Sequence, residues 1–478
     1  MSEDGPVVLL RVDTEDPFTP ESDDAALFLA EALRARGVRA TFPVTTWKAE
    51  VLRERRRTDV LTALGHHCTG FHSTTHSLHP TIAETLEASA DGDAPAAFAA
   101  REEAGMHRLA EILGERPWCY TQPGGNWAAE ASPTVRAWGV PLYHSEGWNA
   151  YVDVGGRPFH LCNLLHFGAP VAAPKPFLSR LPGVLREARD LVRAAMNQPA
   201  PSPPMVHVVF HPTELVTQLF WDAVNFGGGV NRPADQWSAP PLRSAVEVRA
   251  ASAGFLAWLD GLVATPGVRF WTARDLAEAY ADPAQGRRFT LEEAREVAAR
   301  FARGALGSTA VHGVPLSAAE GLDLMVQAHL AWQAGEERRA LTLRPLEPPW
   351  DHPARTLWPP THVNAPALGQ AVGRLAAQLS EGRLPAELPT PQGALPLATV
   401  AVALAAVLAE RAEGGGLPEH VTVSEHELVS ARHVKPQTDL HWDWPVFAPG
   451  FRAPNLHRRA QAAAWTLKPA ESDLVDLA

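Results

Sequence analysis

The sequence predicts an α/β fold: a barrel of parallel strands, followed by a mainly helical region rich in Ala and Pro. Three observations carry this. Short, nearly continuous apolar runs alternate with amphipathic stretches of helical period up to about residue 282, the mark of strand–helix–strand units. Several of those runs end in Asp, His or other polar residues, as in barrels that do chemistry at the C-terminal ends of their strands. Past "PAQGRRFT" at 283–290 the rhythm changes to Ala-rich helical segments and then to Pro-dense ones.

Each element follows from its residues. "PVVLLRV" (6–12) is an apolar run suited to a strand buried on both faces. "DDAALFLAEALRARGV" (23–38) has helical period, acids in its first turn, basic residues near its end and Gly37 to stop it. "RATFPV" reads as the second strand. "AFAAREEAGMHRLAEILG" (97–114) is an amphipathic helix leading into the strand-like "RPWCYTQ", and "TVRAWGVPLYHSE" repeats the rhythm. "MVHVVFH" (205–211) is a further strand, and "AASAGFLAWLDGLVATPG" leads to the strand "VRFWTA". Beyond 285, "EPPWDHPARTLWPP" (347–360) cannot be regular helix. The segments at 313–330 and 393–408 are alike: Gly, a turn with Pro and Leu, then an apolar helix, as in a duplicated module. The expected division is a barrel domain over 1–285 and a helical C-terminal domain over 286–478.

Composition narrows the function. The chain has 478 residues, 46% hydrophobic and 20% charged, enough for more than one folded core. Its formal charge of −12 argues against a nucleic-acid binder, which needs a basic face. Three cysteines without CxxC spacing imply no disulfide framework. The acidic start "MSEDGPVVLLRVD" has no signal-peptide pattern, and the longest apolar run (395–409) is too short and Ala-rich to span a bilayer. The expectation is a cytoplasmic protein with no membrane span.

Four short stretches carry candidate chemistry. In "RVDTEDPF" (11–18), Asp13, Glu15 and Asp16 follow the first strand; three carboxylates so close repel unless a cation or bound water relieves them. In "FHSTTHSLHP" (71–80), His72 and His76 are four apart, which puts them on one side of a helix or helical turn, and neutral imidazoles suit a borderline metal such as zinc. "VVFHPTEL" places His211 at a strand end. "YTQPGGNW" (120–127) is a strand-end loop whose glycines let a ligand approach backbone N–H groups. Taken singly, each also has an ordinary reading: a helix cap, a surface pair, a hydrogen-bonded polar residue, a tight turn. His66, His67 and His79 read as surface or supporting residues.

As an ordered set, these motifs resemble the polysaccharide deacetylase family, the NodB-homology carbohydrate esterases. "HSTTH" resembles the family's histidine metal motif, "RVDTEDPF" a D-x-E-D form of its aspartate motif, and "FHPTEL" its fifth motif. The resemblance covers about residues 5 to 282. It implies a distorted (β/α) barrel holding one divalent metal ion, with zinc the expected one. It implies Asp13 as general base, His72 and His76 as metal ligands with either Asp16 or Glu15, His211 as general acid, and a backbone N–H at Gly124 on the oxyanion. Trp127, Trp148 and Trp221 lie near these motifs and could stack on sugar faces.

Two motifs break the pattern. The third motif of the family has an Arg that pairs with the catalytic aspartate, whereas the loop here reads Tyr120-Thr121-Gln122-Pro123-Gly124-Gly125. Without that charge the pKa of Asp13 should be less depressed. The fourth motif offers only Glu146 and Trp148. The expected activity is therefore metal-dependent hydrolysis of an N-acyl (acetamide) bond in an amino sugar or glycan. The alternatives are an inactive barrel that binds carbohydrate, and a C-terminal half that serves as a scaffold.

Overall fold

The structure is a computed structural model that describes residues 5–145, 150–168, 171–172, 181–197, 204–351, 357–410, 418–439, 442 and 444–472. Ten strands lead: β1 Val7–Val12, β2 Thr41–Val44, β3 Cys68–Phe71, β4 Tyr120–Thr121, β5 Leu142–His144, β6 Phe159–Leu161, β7 Leu164–Phe167, β8 Val171–Ala172, β9 Met205–Phe210 and β10 Arg269–Trp271. They belong to one sheet in the order β6-β7-β5-β4-β3-β2-β1-β9-β8, with β10 beside β1. All these neighbours are parallel except the β6–β7 hairpin.

The sheet is curled into a distorted barrel. His144 on β5 and His207 on β9 stack with ring centroids 4.3 Å apart, although β4, β3, β2 and β1 stand between those strands. Five spacings of a flat sheet would part them by about 24 Å. Along β1 the side chains alternate. Val7 and Leu9 pack inside with Cys68, Cys119, Leu142, Phe167 and Met205. Val8, Leu10 and Val12 pack outside with Ala26, Leu29 and Leu33 of the Pro20–Arg34 helix. Both faces are covered, so the strand reads as an unbroken apolar run. All three cysteines are free and buried.

The C-terminal region repeats one unit. Helix Leu291–Phe301, hairpin Thr309–Val311/Val314–Leu316 and helix Ala318–Gln333 are followed by helix Ala365–Ser380, hairpin Glu387–Thr390/Gly393–Pro396 and helix Leu397–Glu410. The two alike segments of the sequence are the hairpin's second strand and the helix after it. The Leu397–Glu410 helix is buried at nearly every position, which explains a helix apolar all round. No helix among the described residues is long and apolar enough to cross a membrane.

The chain then returns to the barrel. Lys468–Pro469 pairs antiparallel with β6. Arg459, on helix Pro454–Ala463, is fully buried and donates to Glu130 Oε1 at 2.9 Å and to the carbonyls of Leu86 and Ser89. Burial pushes Glu130 up to about 7 despite that arginine.

Buried histidines make the fold acid-sensitive. Burial pushes His144 and His166 down to about 3 and His160 to about 4, and holds His207 well below the usual range. The ring nitrogens of His144 and His207 have no hydrogen-bond partner among the described residues. Each is neutral when folded and titrates near 6.5 when unfolded. Stability is therefore complete above about pH 6.5 and falls as pH drops toward the folded values. Each such histidine costs about 1 kcal/mol between pH 7 and 5.5, a loss opposed by the upward-shifted His76, His79 and His211. A His166→Phe variant isolates one of them: its pH 7-to-5.5 loss in urea-unfolding free energy should be about 1 kcal/mol smaller than wild type. An unchanged pH dependence would refute the assignment.

Candidate active site

Strand register brings the candidate residues to the C-terminal mouth of the barrel. On β1 the inward alternation Val7, Leu9, Arg11 ends at Asp13, whose N–H bonds Phe210 O at 3.0 Å and so sets it beside His211 after β9. His72 follows β3, its N–H on Val44 O, and β4 lies alongside with Thr121. Asp13, Glu15, His72, His76 and His211 are all buried.

Glu15 is the hub. Its Oε2 lies 3.0 Å from His72 Nε2 and 3.0 Å from His76 Nε2, and its Oε1 accepts from Trp221 Nε1 at 3.2 Å. Asp13 Oδ2 is 3.8 Å from His72 Nε2 and 3.7 Å from His211 Nε2. Ligand atoms of Glu15, His72 and His76 fall within 4.8 Å of one another, as do those of Asp13, Glu15 and His211.

Of the two acidic candidates left open by the sequence, Asp16 points elsewhere. Its Oδ1 accepts from the N–H groups of Phe18 and Thr19 and its Oδ2 from Thr213 Oγ1 at 3.0 Å. It closes a turn, and its carboxylate stands outside both clusters.

The His72–His76 pair is not on a helical turn, contrary to the spacing argument. Residues 72–80 form an irregular loop with Ser73 (φ 68) and His76 (φ 60) in the left-handed region, a conformation that costs free energy unless its surroundings impose it. They do. Thr74 donates its N–H and Oγ1–H to buried Glu102, at 2.7 and 2.8 Å, and Ser73 Oγ accepts the His76 N–H at 3.0 Å. Helix Ala94–Leu113 carries glycine at 105, where a Cβ would stand 2.0 Å from Thr74 Oγ1.

Outer hydrogen bonds orient both imidazoles, as partners of metal-ligating histidines do. His72 Nδ1 is 2.9 Å from Thr121 O, which only accepts, so Nδ1 carries a proton, and in a metal-ligating ring the Nε2 lone pair would face Glu15. His76 Nδ1 is 2.6 Å from Ser77 Oγ, whose hydroxyl donates to Asp222 Oδ2 at 3.1 Å. Two bare imidazole nitrogens 3.0 Å from one carboxylate oxygen repel it unless a cation or added protons intervene. This N, N, O donor set fits a divalent metal such as zinc.

The missing arginine is supplied from another place. Arg11, two residues before Asp13 on the same strand, is fully buried. Its Nε is 2.8 Å from Asp13 Oδ1 and its Nη2 2.6 Å from Oδ2. The expectation of a less depressed base is therefore corrected. Burial raises the pKa of Asp13, but Arg11, with His72 and His211, outweighs it and leaves it lowered. Glu15 is held well below the carboxylate range against burial, by His76 first. His211 is opposed by burial yet pushed up to about 9 by Glu15, Glu214 and Asp13.

Gly124 lies in the loop after β4, with φ +49. Two of the tryptophans named as sugar-stacking candidates do not face outward. Trp127 is fully buried against Tyr143 and Tyr151, and Trp221 is fully buried, holding Glu15. Trp148 and Glu146 lie outside the described residues. His67 is a core residue bonded to Ala30 O, His79 bonds Glu84, and His66 is exposed. Sequence reasoning missed Arg11, Ser77, Asp222 and Trp444. Only Arg11 left a signal: a lone charge within an apolar strand, in phase with Asp13.

No family model matches the chain, and no curated protein matches it. Solved structures do. One, from Mycobacterium smegmatis and carrying the description polysaccharide deacetylase, is 12% identical with a TM-score of 0.38, over 58% of this chain and 91% of that one. Peptidoglycan deacetylase PdaC from Bacillus subtilis is 14% identical with a TM-score of 0.31, over 58% of this chain and 93% of its own. A CE4 family pseudoenzyme from Bacillus anthracis is 10% identical with a TM-score of 0.31, over 58% and 66%. Over 58% of its length, this chain is similar to solved polysaccharide and peptidoglycan deacetylases and to a CE4 family pseudoenzyme.

Proposed function

We propose that the chain is a metal-dependent hydrolase of the N-acyl bond, acetamide in the first instance, of an amino sugar or glycan. The observation that carries this is the convergence of Glu15, His72 and His76 on one point, with Asp13 and His211 flanking it. A divalent cation at Glu15, His72 and His76 would polarise the acyl carbonyl and acidify the attacking water. Asp13, kept ionised by Arg11, takes a proton from that water as its oxygen bonds to the acyl carbon. His211 gives a proton to the nitrogen as the C–N bond breaks, so that carboxylate and amine leave. Each proton transfer is worth ~10²–10⁴ in rate. The Gly124 N–H is proposed to steady the oxyanion. The reading as a barrel that only binds carbohydrate drew on the absent arginine and on the Trp-rich tail at 439–451; Arg11 removes the first of these motives and leaves the second.

The test is metal removal. Purified protein should carry about one divalent ion per chain. Dialysis against a chelator should abolish acetate release from N-acetylated amino-sugar oligomers, and zinc should restore it. Undiminished release by metal-free protein would end this reading.

A further inference from the structure

The candidate site is not made by the barrel alone. Trp444, in the C-terminal region, donates its indole Nε1–H to Asp222 Oδ2 at 2.9 Å. Asp222 is fully buried. The same Oδ2 accepts from Ser77 Oγ, and Ser77 Oγ in turn faces His76 Nδ1. A carboxylate only accepts and an indole N–H only donates, so the chain has one direction. The hydroxyl proton of Ser77 goes to Asp222 and the Ser77 oxygen accepts from His76 Nδ1–H, which leaves Nε2 as the nitrogen that would offer a lone pair to a metal beside Glu15.

The tryptophan is held firmly in this position. Gly228 and Gly229 donate their N–H groups to Pro445 O and Val446 O, both at 2.8 Å. Both glycines have positive φ (74 and 81), and a Cβ at Gly229 would stand 2.7 Å from Ala448 Cβ. Val446 is buried with Trp221 and Phe226. The indole also packs over Gly124, where a Cβ would meet the ring at 3.4 Å. It lies edge-on to Phe220, which lies edge-on to His211.

We propose that Trp444 is a positioning residue for the metal site: through Asp222 and Ser77 it sets the orientation of His76, making the C-terminal region part of the hydrolytic centre. This rests on the metal-site reading above. The test uses the full chain. Zinc affinity is measured by competition with a chromophoric chelator, and ligand geometry by the visible spectrum of the cobalt(II)-substituted protein. Trp444→Phe keeps the ring and loses the N–H; it should weaken zinc binding by about tenfold or more and alter the cobalt spectrum. Ser77→Ala, which leaves the C-terminal region untouched, should do the same, and the double variant should be little worse than either single one. Wild-type affinity and spectrum in both variants would overturn the proposal while sparing the metal site. A wild-type chain that takes up no zinc would overturn both.

Discussion

An Arg11→Met variant is expected to lose up to ~10²–10⁴ in kcat/KM for acetate release at neutral pH, the worth of a general base. The reason is the buried pair. Asp13 has almost no exposure, and its two oxygens are held by the Arg11 fork. Burial alone would raise its pKa, and Arg11 is the first of the groups that reverse this. In wild type Asp13 is thus held ionised to below its ordinary carboxylate range. Without the guanidinium, burial is opposed only by the histidines, the pKa of Asp13 rises, and the acidic limb of the pH–rate profile moves upward. Part of the loss should return at alkaline pH. Removing one partner of a buried pair also costs ~3–5 kcal/mol of stability, so melting is measured alongside. Arg11→Lys should recover charge but not the two-pronged geometry. A wild-type pH profile in Arg11→Met would show that Arg11 does not serve Asp13.

A second pair of variants separates adjacent acids. Glu15→Gln should lose zinc affinity by more than the ~10–100-fold expected of an outer partner, because it removes the carboxylate nearest both imidazoles. Asp16→Asn should keep its metal, since its oxygens serve Phe18, Thr19 and Thr213, and should cost about 1 kcal/mol of stability through weakened hydrogen bonds. Metal analysis of the two proteins decides. Zinc lost from Asp16→Asn and retained in Glu15→Gln would reverse the assignment.

Asp13 and His211 were legible because each stands just past the end of an apolar run, and His72 and His76 through their spacing and the resemblance of their motif. Glu15 against Asp16 was not legible. Beyond β1 the chain bears no period, and which of two neighbouring carboxylates turns inward depends on the Phe18, Thr19 and Thr213 groups that capture Asp16. The four-residue histidine spacing pointed to a helical turn, but the real cause is a loop with left-handed Ser73 and His76, imposed by Glu102 and by the space left at Gly105. Trp127 and Trp221 could stand as sugar-stacking candidates beside their core-packing reading because burial of an aromatic beside a motif has no local signature.

What the residues determine by themselves is whatever depends on near neighbours: alternation of strand and helix, apolar period, a charge in phase with Asp13, polar residues at strand ends. What only the folded chain decides is which distant groups share a volume. Closure of the barrel carries His144 to His207, and the return of the C-terminal region brings Arg459 to Glu130 and Trp444 to Asp222. Such contacts are set by the joint packing of many side chains, and no window of sequence contains both partners.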